Sequence, residues 1–82
     1  EIESLNPYEY KFYFSEAVNV DDATFYIEGK GYDGLEEADR IKWQEKNPNI
    51  VIIHFAQSAS SGEYYTLYWT RVKDSKGKSI KS

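Results

Sequence analysis

The sequence contains no cysteine and no methionine, and it has a single histidine, His54. Without cysteine the chain cannot form a disulfide scaffold, a thiolate metal site or a cysteine nucleophile. One histidine is too few for a zinc site, which usually takes about three or four nitrogen, sulfur or oxygen ligands. The chemistry of the chain therefore depends on hydroxyl, amide, carboxylate, ammonium and aromatic groups.

Long apolar runs and an excess of positive charge are also missing. The longest purely apolar run, residues 50–53, is far too short to cross a membrane, so membrane insertion is not expected. The net charge of −4 argues against general nucleic-acid binding. The 82 residues correspond to one small domain, 1–82. Because the sequence begins with Glu1 rather than Met, we expect this domain to come from a longer, multidomain protein.

Aromatic residues are abundant, at 17% of the chain, and most lie in segments that alternate between apolar and polar residues. A period of two is typical of half-buried β-strands, and aromatic side chains favour them. Turns are indicated at 21–22, 47–49 and 74–77, where Asp, Asn, Pro, Ser and Gly are concentrated. The alternation predicts strands near 2–5, 8–15, 24–28, 40–45, 50–55, 64–72 and 78–82.

These elements predict an all-β fold. About seven short strands with turns every eight to twelve residues are typical of an antiparallel β-sandwich. Loops are expected at 29–34 and 58–62, where glycine or serine is frequent. Segment 35–39 is compatible with a helical turn, although it is too short to be a stable helix by itself.

Strand parity predicts which side chains form the core. The predicted buried set is Phe12, Phe14, Phe25, Ile27, Trp43, Tyr65, Leu67 and Trp69. Segment 50–55 is β-branched and continuous, so it is expected to be a central strand. Its inward residues are either Val51, Ile53 and Phe55 or Ile50 and Ile52.

Four stretches also follow one another in a recognisable order. They are F-S-E-A-V within 10–18, D-A-T-F-Y-I at 22–27, the apolar strand 50–55, and G-E-Y-Y-T-L at 62–67, which continues into V-K-D-S-K-G-K-S-I at 72–80. Together they resemble the bacterial Ig-like domains of the S-layer type, with Lys78 in place of the usual Asn. The resemblance implies an Ig-like β-sandwich that serves as a structural or adhesive module of secreted or wall-associated bacterial proteins, and it transfers no catalytic residues.

Two of these motifs have structural explanations. Gly62 and Tyr65 look like a tyrosine corner, in which the ring packs inward and its hydroxyl bonds a backbone group upstream. Asp74 is expected to accept hydrogen bonds from turn amides, and Gly77 is expected to take the left-handed conformation.

The most unusual feature of the sequence is a set of tyrosines at strand positions predicted to face away from the core. They are Tyr13, Tyr26, Tyr64 and Tyr68. Cross-strand aromatic pairs stabilise sheets, which favours a structural role. Strand 64–72 is expected to be central in its sheet. If 40–45 pairs beside it, Arg40 and Lys42 lie next to Tyr64 and Tyr68 and shield the rings, which favours the structural role. If the two tyrosines instead stand clear of long charged neighbours, the patch is unprotected and should have a partner. These four residues form the possible binding face for a carbohydrate or a protein.

Other sites are weaker. Asp21, Asp22 and Asp33 are weak candidates for a calcium site within a loop or between domains. Calcium prefers about six to eight oxygen ligands, and the spacing of an EF-hand is missing. We therefore interpret these carboxylates as solvated loop charge and expect no cofactor. His54 lies within a strand with no nucleophile motif nearby, and we interpret it as a buried or edge histidine rather than a triad member. Lys11 is predicted to face outward, which disfavours an isopeptide bond.

Basic residues are concentrated at the end of the chain, where 71–82 holds five of the ten lysines and arginines and one acid. A protected edge strand explains this charge, and contact with the acidic face of a neighbouring domain or binding to anionic wall polymers are the alternatives.

From the resemblance we expect a non-catalytic spacer or adhesive module that is extracellular, at the cell surface or in the cell wall. Its expected partners are neighbouring domains, and in the alternative function a carbohydrate or another protein.

Overall fold

The computed structural model describes residues 2–29, 35–57 and 65–81. Across these residues the chain is all-β, with nine strands, antiparallel pairing throughout and no helix. In particular, they include no helix long and apolar enough to cross a membrane. The strands are β1 (Ile2–Asn6), β2 (Glu9–Tyr13), β3 (Val18–Asn19), β4 (Thr24–Gly29), β5 (Leu35–Glu37), β6 (Arg40–Trp43), β7 (Ile50–His54), β8 (Tyr65–Thr70) and β9 (Lys73–Asp74).

The largest sheet contains four strands in the order β1-β2-β7-β6. β7 lies between β2 and β6, which confirms that the continuous β-branched segment is a central strand. Val51, Ile53 and Phe55 are fully buried. Ile50 and Ile52 alternate with them and are half-buried on the opposite face, so the first of the two predicted inward sets is the correct one.

The second sheet contains three strands in the order β5-β4-β8. The prediction that β8 is central is wrong, because β4 is paired on both sides, whereas among the described strands β8 pairs only with β4. Segment 35–39 contains strand β5 instead of a helical turn. β4 supplies its backbone partners, and the Ala38 amide adds a bond to the Phe25 carbonyl, so tertiary pairing overrides local preference.

A predicted turn follows β9. Asp74 Oδ1 accepts hydrogen bonds from the amides of Lys76 and Lys78, each at 2.9 Å, and Gly77 has a φ of +82°. The prediction of an Asp-to-Gly turn at 74–77 is confirmed. Asp74 supplies the acceptor for the turn amides, and Gly77 adopts the positive φ without the strain that a β-carbon would add.

The predicted closing strand at 78–82 is wrong for the part that the structure describes. Residues 78–81 pair with the chain only near β9, through the Lys73–Ser79 bridge and flanking backbone bonds. Between β8 and β9, Arg71 adopts a left-handed φ of 58°. β9 then pairs with β3 in a separate two-stranded sheet.

Side chains from the two larger sheets meet in one hydrophobic core. Phe12 and Phe14 contact Trp69 edge-on, with ring centroids 5.2 and 5.1 Å apart. Of the predicted set, Phe14, Phe25 and Ile27 are buried. Phe12, Trp43, Leu67 and Trp69 are half-buried, and the Tyr65 side chain lies outside the described residues. The core also includes Tyr10, Val18, Val20 and Val72.

Candidate functional site

The structure separates the four residues of the predicted binding face. Arg40 and Lys42 lie on β6, which pairs with β7 in the four-stranded sheet. Tyr68 lies on β8 in the other sheet, and Tyr64 lies outside the described residues. The predicted contact of Tyr68 with Arg40 and Lys42 required β6 to pair with β8. Because β6 pairs with β7 instead, Tyr68 and the two cations lie on different sheets.

The outer face of the three-stranded sheet carries a pair of tyrosines and an acidic rim. Tyr68 is opposite Tyr26 in the β4–β8 register, and Tyr26 is opposite Glu37 on β5. The Tyr68 hydroxyl donates a hydrogen bond to Glu28 Oε1 at 3.4 Å. Cross-strand pairs of this kind stabilise a sheet, and they leave Tyr68 engaged with residues of its own domain.

The outer face of the four-stranded sheet contains an open hollow of about 200 Å³. Three register partners cross it, Lys11 on β2, Ile52 on β7 and Lys42 on β6. Neighbouring strands lie about 4.8 Å apart, which puts the two lysine backbones roughly 10 Å apart on either side of the isoleucine. Ile50 extends the apolar floor, and the other lining residues are Trp43, Gln44 and Asn47.

Both lysines of the hollow are held by weak interactions. Lys42 Nζ lies 3.8 Å from Glu9 Oε2, but 63% of the Lys42 side chain is exposed, so this ion pair contributes little. Lys11 Nζ lies 5.3 Å from the centre of the Tyr13 ring. A cation–π contact at an exposed site is worth about 0.5–1 kcal/mol. Since an ammonium group has three donors, either lysine can also bind an anionic group that enters the hollow.

His54 belongs to a hydrogen-bonded pair at the other end of β7. Its Nδ1 lies 2.5 Å from Asp39 Oδ1, and the Asp39 amide donates to the His54 carbonyl at 2.9 Å. The hydrogen bond with His54 lowers the pKa of the Asp39 carboxyl. The Tyr8 ring stacks on the imidazole at a centroid distance of 6.2 Å. These contacts tie the β5–β6 connection to the central strand. His54 is half-buried on this strand, so the prediction of a buried or edge histidine is wrong, because β7 is paired on both sides and His54 lies on its outward face.

Two of the calcium candidates, Asp21 and Asp22, lie in the exposed turn after β3. The Asp21 amide donates to Asn19 Oδ1 and the Asp22 carbonyl accepts from Arg71 Nε, both at 3.0 Å. Asp33 lies outside the described residues. In the segments 2–29, 35–57 and 65–81, no three His, Cys, Asp or Glu side chains are grouped so that they could hold a metal ion.

The hollow was not predicted from the alternation of the strands. The sequence nevertheless indicates an apolar outer face on β7, because 50–53 is apolar at every position. A strand with one face in the core must then expose isoleucine on the other face. The position of Lys42 beside Ile52 follows only from the pairing of β6 with β7, which the sequence does not specify.

Comparisons of the chain with family models, with curated proteins and with solved structures each give no significant match. Functional proposals therefore rest on the residues and contacts of the chain itself.

Proposed function

We propose that the chain is an immunoglobulin-like β-sandwich with a non-catalytic structural or adhesive role in a bacterial cell-surface or secreted protein. The observation that carries this proposal is the strand order. With β1, β2, β4, β6, β7 and β8 labelled A to F in chain order, the four-stranded sheet reads A-B-E-D, and C lies beside F in the second sheet. These are the strand neighbours of immunoglobulin domains.

Packing between the two larger sheets supports the sandwich. In a sandwich, inward side chains of two sheets interdigitate across about 10 Å. Phe12 and Phe14 contact Trp69 in this way, and Trp69 also lies 6.2 Å from Phe25 on the neighbouring strand. The Asp74–Gly77 turn, which belongs to the stretch that resembles the bacterial domains, adds local support.

A spacing or joining role is supported by the way in which reactive side chains are engaged. Asp39 bonds His54, Tyr68 bonds Glu28, and Asp74 closes its own turn. The tyrosine pair on the three-stranded sheet has a sheet-stabilising explanation that requires no ligand. A module of this kind contributes length, rigidity and a folded surface to the protein that carries it.

Domain exchange tests the structural role. The segment is replaced, in the protein that carries it, by an unrelated Ig-like domain of similar length, and surface display and attachment are measured. A spacer should tolerate the exchange, and Tyr68→Ser within the original domain should leave both readouts unchanged. Loss of attachment on exchange, with normal surface display, would contradict the spacer role and favour specific binding.

The hollow on the four-stranded sheet favours a second candidate function. An apolar floor of Ile50 and Ile52 between Lys11 and Lys42 fits a ligand with one apolar face and one anionic group. A carboxylated sugar unit of a wall polymer has this chemistry, so the second candidate is binding of an acidic carbohydrate.

Calorimetric titration with a uronic-acid oligosaccharide tests the second candidate. Lys42→Gln should weaken binding, because it removes one of the two cations of the hollow. Lys46→Gln is the matched control, since Lys46 is exposed and does not line the hollow. Absence of binding, or equal weakening by the two substitutions, would exclude the hollow as the site.

A further inference from the structure

β1 is held to the four-stranded sheet with little burial of its side chains. Of the nine strands that the structure describes, it is the one in which every residue is exposed. Even its two large apolar side chains, Ile2 and Leu5, are 40% and 44% exposed. Because an element with few buried apolar contacts opens at a low cost in free energy, β1 is the strand best suited to separate while the rest of the domain stays folded.

The pairing of β1 with β2 is also interrupted near the hairpin that joins the two strands. The register is regular from Ile2 to Ser4, and it shifts before Asn6 pairs with Glu9. A bulge of this kind leaves one residue unpaired and disrupts the ladder locally. The irregular pairing and the exposed side chains both lower the free energy that is needed to separate β1 from β2.

The connection between the two strands places the hinge for this separation at Asn6 and Pro7. Beyond the hinge the chain is anchored, because the Tyr8 carbonyl accepts a hydrogen bond from the Phe55 amide at 2.9 Å and the Tyr8 ring stacks on His54. At the hinge itself, Asn6 Oδ1 accepts from the Tyr8 amide at 2.8 Å. Pro7 has no backbone N–H, and a residue before proline favours extended conformations. An extended hinge therefore suits Asn6 and leaves no Pro7 donor unpaired.

Separation of β1 leaves an edge of β2 that only a matching strand can cover well. The backbone groups of β2 that face β1 lose their partners, and the half-buried Phe12 loses its neighbour Ile2. An unpaired strand edge is a template for pairing with another chain. The strand that fits this edge in sequence and register is β1, so a second copy of the chain supplies the matching segment.

We propose that two copies of the chain exchange β1, so that β1 of each copy pairs with β2 of the other. The exchanged dimer keeps the contacts between β1 and β2, including the hydrogen bond from the Tyr13 hydroxyl to Glu3, which the second copy then supplies. Only the hinge at Asn6 and Pro7 changes conformation. Exchange of an identical element is a low-cost route to a dimer. This dimer depends on β1 alone and is independent of the structural role proposed above.

Engineered cysteines test the exchange directly, because the chain contains no cysteine of its own. Glu3 and Lys11 are directly opposite in the register, where Cα atoms lie about 4.5–5.5 Å apart and a disulfide can join them. Isotopically labelled Glu3→Cys is incubated with unlabelled Lys11→Cys and oxidised, and mass spectrometry identifies the disulfides. The mixed disulfide should clearly exceed the share expected from random collisions.

The matched control uses Thr24→Cys and Thr70→Cys, which are directly opposite on β4 and β8. Like the first pair, they combine one half-buried and one exposed position. Their mixed disulfide should not exceed the random share, because neither strand is exchanged. A mixed disulfide of Glu3→Cys with Lys11→Cys that is no more frequent than in this control would overturn the proposal.

The oligomeric state provides a second test. In sedimentation the wild-type chain should form a dimer as its concentration rises. Glu3→Cys and Lys11→Cys in one monomeric chain lock β1 onto its own β2 when oxidised, so this variant should stay monomeric until it is reduced. Its melting temperature establishes that the locked chain is folded. A wild-type chain that remains monomeric at every concentration, or a dimer that also forms from the locked variant, would contradict exchange of β1.

Discussion

The contact of Phe14 with Trp69 allows a direct measurement of packing between the two larger sheets. Phe14 is 7% exposed, and its ring centroid lies 4.7 Å from that of Phe12 and 5.1 Å from that of Trp69. Both contacts are edge-on. We predict that Phe14→Ala lowers the free energy of unfolding by about 3–5 kcal/mol, because it removes a buried ring and leaves a cavity.

This loss is large for a domain of this size. At about 0.05–0.15 kcal/mol per residue, an 82-residue domain has a total stability of roughly 4–12 kcal/mol. Phe14→Ala therefore leaves little folded protein if the total lies near the lower bound. Phe14→Leu fills more of the site and is suited to a double-mutant cycle with Trp69→Leu. The coupling free energy of this aromatic pair should be about 0.5–1.5 kcal/mol.

Urea unfolding followed by far-UV circular dichroism measures each variant, and an unchanged m-value shows that the variants can be compared. Tyr68→Leu provides the control, since Tyr68 precedes Trp69 but lies on the outer face. Its cycle with Phe14→Leu should be additive to within about 0.5 kcal/mol. Additivity in the Phe14–Trp69 cycle as well, or a loss below about 1 kcal/mol for Phe14→Ala, would refute packing of the sheets through these rings.

The 74–77 turn and the Asp39–His54 pair give three more predictions. Asp74→Ala should lower the melting temperature more than Asp74→Asn, because asparagine keeps an acceptor for the turn amides, and equal melting temperatures would contradict this. The Lys78 amide above all lowers the Asp74 pKa, so the stability gap between wild type and Asp74→Asn should be present above about pH 4 and should shrink on acidification. Gly77→Ala should cost about 1–2 kcal/mol in urea unfolding. This cost comes from the positive φ alone, since an added Cβ meets no atom within 4 Å. Gly77→Asn should cost less, and a neutral Gly77→Ala would exclude the left-handed conformation. A carbon NMR titration should place the pKa of Asp39 below 3.8, and His54→Phe should raise it. An Asp39 pKa that His54→Phe leaves unchanged would show that the pair does not form.

The positions of most strands could be predicted because a half-buried strand repeats with a period of two. Phe25 and Ile27 alternate with polar or outward residues, and both are fully buried. The 74–77 turn could be predicted for an equally local reason, since the Asp74 side chain bonds amides only two and four residues away. These features depend on interactions within a few residues.

The neighbours of each strand could not be predicted in this way. Parity assigns a residue to a face, but the choice of adjacent strand depends on packing between distant segments. β8 is long and aromatic, yet β4 is central, and Leu35–Glu37 forms a strand only because β4 supplies its backbone partners. The candidate site shows the same limit of prediction. The sequence did not determine whether Ile50 and Ile52 face inward or outward. The position of Lys42 beside Ile52 depended on the pairing of β6 with β7.

The two tryptophans each join the hydrophobic core to a segment outside the two larger sheets. Trp43 on β6 donates its indole N–H to the Pro48 carbonyl at 3.0 Å, and Trp69 on β8 donates to the Ile80 carbonyl at 3.1 Å. Both rings are half-buried and pack against the hydrophobic core. Tryptophan suits such a position because its ring buries a large apolar area while its N–H needs a hydrogen-bond acceptor. Phenylalanine has no such group, and Phe25 occupies a fully enclosed position instead. Each indole bonds a carbonyl outside its own strand, so Trp43 joins the core to the segment around 47–49 and Trp69 joins it to 78–81. Loss of one ring should therefore loosen the core and the segment that this ring holds.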